Sequence, residues 1–286
     1  MKEVSDEVKL IWNNKNKFSK FYDPRTLNLK ECELSFKHYS FKSNIYRCLK
    51  PFIFSLNYKN KGIDIIETTM KSDTLTIYVN GICSTIEMAL YQVSWLERLI
   101  GKPITLAYNY TDGFLIDLYE CMQDRTRIKN STTLASKKLA EYLKCNMEYY
   151  EEINIIGFSQ GCLITGRALE LLIENNVGLN LNKINYTTFA NPVKELDLPR
   201  EISVEHFINK DDPIANIGII EYSKSITGKK YYQNKGGHML VADYIIPLCL
   251  DYFDKKSKFR EKIIENERIE VINEISEAYM YLNNIS

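Results

Sequence analysis

Ser159 stands in Gly157-Phe158-Ser159-Gln160-Gly161, and glycines two residues to either side leave room for a backbone turn that larger residues would block. Where a strand enters such a turn and a helix leaves it, the serine is held in a strained conformation at a sheet edge. There its hydroxyl can attack a carbonyl carbon. The pattern is short, so its context gives it weight. Ile153-Asn154-Ile155-Ile156 ahead of it has the apolar run of a buried strand, and Cys162 to about Glu174 behind it reads as an amphipathic helix.

A serine hydroxyl is a weak nucleophile at neutral pH and needs an imidazole to take its proton and a carboxylate to orient that imidazole. The chain has three histidines. His238 follows Gly236-Gly237, after the last expected strand and before a helix, and is the expected base. His206 lies within an expected strand beside Val204, Phe207 and Ile208, and His38 lies near the N-terminus. Both are read as structural. The acid should follow a strand between Ser159 and His238, which favours Asp212, followed by Pro213. Asp211 is the adjacent alternative, and Glu195 and Asp197 are further candidates. Asp-Asp-Pro is also ordinary turn chemistry.

Acyl transfer needs donors for the oxygen that gains charge as the serine attacks. The backbone amide of Gln160 is the first expected donor. The second is sought in Val79-Asn80-Gly81-Ile82-Cys83, with the amide of Ile82 favoured over that of Cys83 and Gly81 allowing close approach. An ordinary Asn-Gly turn would carry the same residues. Cys83 and Cys162 are read as small packing residues.

The elements that must position these groups alternate. Strands are expected over Ile63 to Thr69, Leu75 to Val79, Ile104 to Tyr108, Lys183 to Ala190, Ile202 to Asn209 and Tyr231 to Gln233, besides the strand before Ser159. The first two suggest a hairpin around Lys71 to Asp73. Helices are expected over Thr85 to Leu99, Phe114 to Gln123, Thr133 to Asn146 and Leu240 to Phe253, the last kinked by Pro247. The alternation predicts one α/β domain over residues 63–253, a mostly parallel sheet flanked by helices. Residues 1–62 read as an N-terminal extension packed on it, and 254–286 as a charged C-terminal helix. That helix is expected to pack on the domain, with a partner or membrane contact as the alternative.

At 286 residues and 45% apolar composition the chain can bury a sizeable core. Lys plus Arg equals Asp plus Glu at 37 each, so no net field steers nucleic acid or an anionic membrane to it. Seven cysteines without a Cys-x-x-Cys pair fit free thiols in a reducing compartment. The charged Met1-Lys2-Glu3-Val4-Ser5-Asp6-Glu7 lacks the apolar run of a secretory signal. A cytoplasmic location is therefore expected, with export lacking a cleavable signal as the alternative. No phosphate-binding loop, dinucleotide fingerprint or metal-spaced His/Cys cluster is present, and neither cofactor nor metal is expected.

The Gly157 to Gly161 turn, Asn80-Gly81 after an early strand, Asp212-Pro213 and Gly237-His238 occur in the chain order serine, acid, histidine. On these residues the chain resembles the α/β-hydrolase superfamily, lipase- and esterase-like, over roughly residues 63–253. Val79 to Ile82, Tyr108-Asn109-Tyr110-Thr111-Asp112-Gly113 and the serine turn are also similar to an uncharacterised hydrolase-like group of host-associated bacteria. The resemblance implies an α/β-hydrolase fold and a serine hydrolase acting on a small-molecule or lipid ester or thioester. An acyltransferase with the same three residues and a non-catalytic binding or effector module on the same fold are the alternatives. Two departures stand out. Asn80 replaces the histidine common in the oxyanion loop, and the span from Ala190 to Ile202 is too short for an inserted cap. Any lid must come from the helices between Asp112 and Ala135 or from the N-terminal extension.

Overall fold

The computed structural model describes residues 62–67, 72–82, 84, 86–110, 133–174, 178–234, 236–254 and 256–283. The expected extension before residue 62, the helix over 114–123, most of the candidate lid, His38 and Cys83 lie outside the described residues.

Among the described residues seven strands form one sheet: β1 (Ile63–Ile66), β2 (Thr74–Val79), β3 (Thr105–Asn109), β4 (Glu152–Phe158), β5 (Ile184–Phe189), β6 (Ser203–Asn209) and β7 (Lys229–Gln233). Their order is β1-β3-β2-β4-β5-β6-β7, with β1 antiparallel to β3 and every other pair parallel. The central strands read as continuous apolar runs because helices cover both faces. On one face α1 (Ile86–Ile100) packs Leu96 and Leu99 with Tyr78, Leu106 and Ile156. On the other, α2 (Leu134–Asn146) and α3 (Gln160–Glu174) bring Leu139 and Leu169 against Ile77 and Ile155. This is the α/β-hydrolase arrangement, a mostly parallel sheet flanked by helices.

The expected hairpin between the first two strands does not form. β1 pairs with β3, Ile63 opposite Asn109 and Ile66 opposite Leu106, while β2 takes β3 and β4 as its neighbours. Burial explains the difference. All of β2 is buried, so it needs partners on both edges, whereas β1 exposes Asp64 and Ile66 and suits the sheet margin.

From β2 the chain runs through α1 to β3 on one side, and from β4 it runs through α3 to β5 on the other. The loops at the C-terminal ends of β2 and β4 therefore diverge. That divergence opens the crevice in which parallel α/β sheets place their ligands. In-register pairing sets Val79 beside Gly157 and Phe158 beside Phe189, so the loops after β2, β4 and β5 leave at one level.

The helix expected over Leu240 to Phe253 is shorter and wider. It opens as a π-turn over Val241–Ile245, in which the Ile246 amide reaches back to the Val241 carbonyl. It continues as α4 (Ile246–Cys249) and stops before Asp251, whose φ is 57°. Pro247 has no N–H to give the carbonyl of Asp243, four residues back. The Gln233 side chain takes that carbonyl at 2.6 Å.

Beyond it, α5 (Lys258–Glu261) is tied to the sheet by buried Glu205, which accepts the amides of Lys258 at 2.8 Å and Phe259 at 2.9 Å. α6 (Glu265–Asn283) buries Val271 and Ile275 and is held to α1 by Arg98, which meets Glu267 at 2.9 Å and Glu274 at 2.8 Å. Buried Arg268 pairs with Asp251 and donates to the Cys249 carbonyl at 2.7 Å. No helix among the described residues is long and apolar enough to cross a membrane.

Candidate active site

β4 ends at Phe158 and α3 begins at Gln160, leaving Ser159 alone in the turn with a φ of 54°. That left-handed conformation is costly for a residue with a side chain and persists only where its surroundings enforce it. Here the Ser159 amide donates to the Phe189 carbonyl at 3.0 Å, and the Ser159 carbonyl accepts from Cys162 at 2.9 Å. A Cβ on Gly157 would press on the Cys162 backbone at 3.0 Å, and one on Gly161 would collide with the Val79 carbonyl. Both flanking positions therefore require glycine.

His238 Nε2 lies 3.0 Å from Ser159 Oγ, and His238 Nδ1 lies 2.8 Å from Asp212 Oδ2. An ionised carboxylate only accepts, so Nδ1–H donates to Asp212 and Nε2 is left to accept from the serine hydroxyl. Ser159 is 4% exposed, Asp212 is fully buried, and the His238 side chain keeps 30% of its surface, enough for a substrate to reach it.

Each group has its own support. Asp212 caps the single helical turn Pro213–Ala215, and its Oδ1 accepts the Ile214 amide at 2.8 Å and the Ala215 amide at 3.4 Å. Its Oδ2 accepts from the Tyr244 hydroxyl at 2.6 Å as well as from His238. Phe158 stacks on the His238 ring with centroids 5.1 Å apart. The histidine loop is pinned by Asn209, which donates to the Gly237 carbonyl at 3.1 Å, and by Asp243, which accepts the Met239 amide at 2.9 Å.

The loop after β2 closes on the serine. A Cβ on Gly81 would sit 2.8 Å from Ser159 Cβ, so only glycine allows this approach. Buried Asn80 organises the loop. Its amide group donates to the carbonyls of Gly81 and Asn109, both at 3.0 Å, and its carbonyl oxygen accepts the Asn109 amide at 2.8 Å. Asn109 then donates to Gln160 Oε1 at 2.7 Å. Asn80 thus bridges β2 and β3 and connects through Asn109 to the start of α3. Ile82 is half-buried directly after Gly81, and Cys83 lies outside the described residues.

The remaining candidates sit apart from the serine. Asp211 is exposed beside Asp212, and Glu195 and Asp197 are exposed on the connection from β5 to β6. His206 is fully buried, with Nδ1 2.6 Å from the Thr188 hydroxyl and Nε2 2.8 Å from the Thr227 carbonyl. Burial pushes its imidazole down to about 4, so it is neutral, donating from Nε2 and accepting at Nδ1. The buried Cys162 thiol faces the Phe189 carbonyl, and burial holds it above the usual thiol range.

Tyr244 and Asp243 complete the site without having been marked by sequence, and Phe158 and Asn109 join it from motifs in which they had been given no role. Phe158 is the variable residue of the Gly-x-Ser-x-Gly motif and Asn109 ends a recognisable strand. Tyr244 and Asp243 carried no signal, because they reach the site only through the wide turn at Val241–Ile245. An arrangement of this kind can move a proton from the serine to the imidazole as the hydroxyl attacks an electrophilic carbon, while the carboxylate stabilises the imidazolium.

No family model and no curated protein matches the sequence. Similar solved structures include an esterase from Pyrobaculum calidifontis, at 10% identity and a TM-score of 0.44 over 97% of this chain and 99% of that one. A thioesterase of the prodiginine biosynthetic pathway of Streptomyces coelicolor is similar at 11% identity and a TM-score of 0.40, over 72% of this chain and 92% of that one. Carboxyl esterase 2 of the mycorrhizal fungus Tuber melanosporum is similar at 8% identity and a TM-score of 0.41, over 77% and 88%. At such overlap the likeness bears on neither substrate nor residue roles.

Proposed function

We propose that the protein is a serine hydrolase that cleaves a carboxylic ester or thioester through an acyl-Ser159 intermediate. The observation that carries this reading is the continuous relay Asp212–His238–Ser159, at 2.8 and 3.0 Å, with the serine strained at a φ of 54°. His238 Nε2 takes the hydroxyl proton as Ser159 Oγ bonds to the carbonyl carbon, and the carbonyl π electrons move onto oxygen. The backbone amides of Gln160 and Ile82, with that of Cys83 as the alternative second donor, would stabilise that charge. Collapse of the intermediate breaks the bond to the alkoxide or thiolate, which leaves with the proton held by His238. Water then repeats the sequence, giving its proton to His238 and its oxygen to the acyl carbon, and Ser159 is restored.

Membership of the α/β-hydrolase superfamily is part of the proposal. The narrower similarity to a hydrolase-like group of host-associated bacteria rests on the sequence motifs alone.

A fluorophosphonate probe, which phosphonylates activated serines, tests the reading. Labelling of the wild-type protein should be lost in Ser159→Ala and fall at least about 10³-fold in His238→Ala, since members of such a relay act as one unit. An unlabelled wild-type protein, or labelling that persists in Ser159→Ala, would overturn it. A series of p-nitrophenyl esters and acyl thioesters of increasing chain length would then define the acyl group accepted.

A further inference from the structure

We infer that Tyr244 is a positioning residue for the relay, its hydroxyl locking the Asp212 carboxylate and sharing the oxygen that holds His238, so that it sets the strength of the Asp212–His238 hydrogen bond. The inference rests on the reading of Ser159 as a nucleophile activated by His238.

The geometry of Asp212 carries it. Oδ1 is taken by two backbone amides, so the carboxylate plane is set by the helical turn after β6. Oδ2 faces the histidine and accepts two donors, Nδ1 of His238 at 2.8 Å and the Tyr244 hydroxyl at 2.6 Å. Two donors on one oxygen draw on the same charge, and in a buried site that competition is not diluted by water. Tyr244 therefore weakens the pull of Asp212 on the imidazolium while it prevents the carboxylate from turning away.

The phenol suits this task. Tyr244 is fully buried, and burial, followed by the negative charge of Asp212, holds its hydroxyl well above the usual phenol range. It remains a donor at every pH at which a hydrolase works. Its ring is boxed edge-on by Phe158 at 6.4 Å and Phe189 at 5.8 Å and stacked on Phe253 at 6.4 Å. Phe158 also stacks on His238, so one aromatic wall aligns both donors to Oδ2.

The turn that delivers Tyr244 is built for the site. Pro247 leaves the Asp243 carbonyl to Gln233, and the wide turn over Val241–Ile245 points Asp243 at the histidine loop and Tyr244 at the acid. Wide turns of this kind recur at functional sites. Among the described residues, the ionisable groups that face the pair are Tyr244 and Asp243 on this turn and the protonated Cys162 thiol on α3, with exposed Asp211 next to Asp212 in the loop after β6.

Tyr244→Phe keeps the ring and removes only the hydroxyl. The readouts are the rate of fluorophosphonate labelling from pH 5 to 9 and the downfield proton NMR signal of His238 Nδ1–H, which Asp212→Asn should abolish. With Asp212 relieved of one donor, the acid limb of the rate profile should move to higher pH by roughly half a unit to one unit. Labelling should then fall about three- to tenfold on that limb and change less than about twofold on the alkaline plateau. The Nδ1 proton should move further downfield. A loss equal at every pH with an unmoved NMR signal would assign Tyr244 a merely structural role and overturn the inference. If the wild-type protein takes no label, the hydrolase reading fails on its own, and the NMR comparison of Tyr244→Phe with wild type still decides whether the hydroxyl tunes the His238–Asp212 bond.

Discussion

The distances between Ser159, His238 and Asp212 depend on residues that do no chemistry themselves. Gly81 is the sharpest case, because its missing side chain is what lets the loop after β2 touch the nucleophile. In Gly81→Ala the new methyl would meet Ser159 Cβ at 2.8 Å and the Phe158 carbonyl at 3.2 Å, so the loop or the serine must move. Fluorophosphonate labelling should fall by about 10²-fold, the scale of losing one oxyanion donor. The melting temperature should drop far less than that loss suggests, since Asn80 still ties the loop to β3 at 3.0 Å. A variant that labels at the wild-type rate would remove this loop from the oxyanion site. Gly81 was legible from the sequence as a close-approach glycine after a strand. The Asn80–Asn109–Gln160 chain behind it was not, because its partners lie 29 and 51 residues apart and pattern carries no distance information.

At the scale of elements, legibility follows locality. α1, α2 and α3 begin and end within a residue or two of where apolar periodicity put them, because that signal acts inside one segment. The pairing of β1 was misread because it depends on which edge is left after β2 has been buried on both sides, a property of the whole sheet. The π-turn was misread for a related reason. Pro247 announced a break, but the shape of the break depends on a Gln233 side chain from β7 that satisfies the freed carbonyl. Gln233→Leu should therefore leave the Asp243 carbonyl buried without this donor and destabilise the protein by about 1–3 kcal/mol. Urea unfolding would measure that loss, and labelling should fall with it as Tyr244 and the histidine loop drift. A variant of unchanged stability would show that the turn holds its shape without Gln233.

Over the whole molecule, the sheet gathers chemistry at one edge and leaves polar groups within its layers to other tasks. His206 belongs to the second class, and its role is in stability. It sits on β6 with its ring between the Thr188 hydroxyl and the Thr227 carbonyl, and burial, aided by Lys230, pushes it down to about 4. In the unfolded chain it titrates near the ordinary value of about 6.5. Above that pH it is neutral in both states and its contribution to stability is complete. As the pH falls from about 6.5 to about 4 the unfolded chain binds a proton that the folded one refuses, and stability drains away by about 3 kcal/mol. Urea unfolding at pH 7, 5.5 and 4.5 should show this decline. His206→Gln, which can still accept from Thr188 and donate to Thr227, should be less stable at pH 7 but lose about one proton's worth of slope across the same window. An unchanged slope in that variant would place the acid sensitivity in other groups and leave His206 as packing alone.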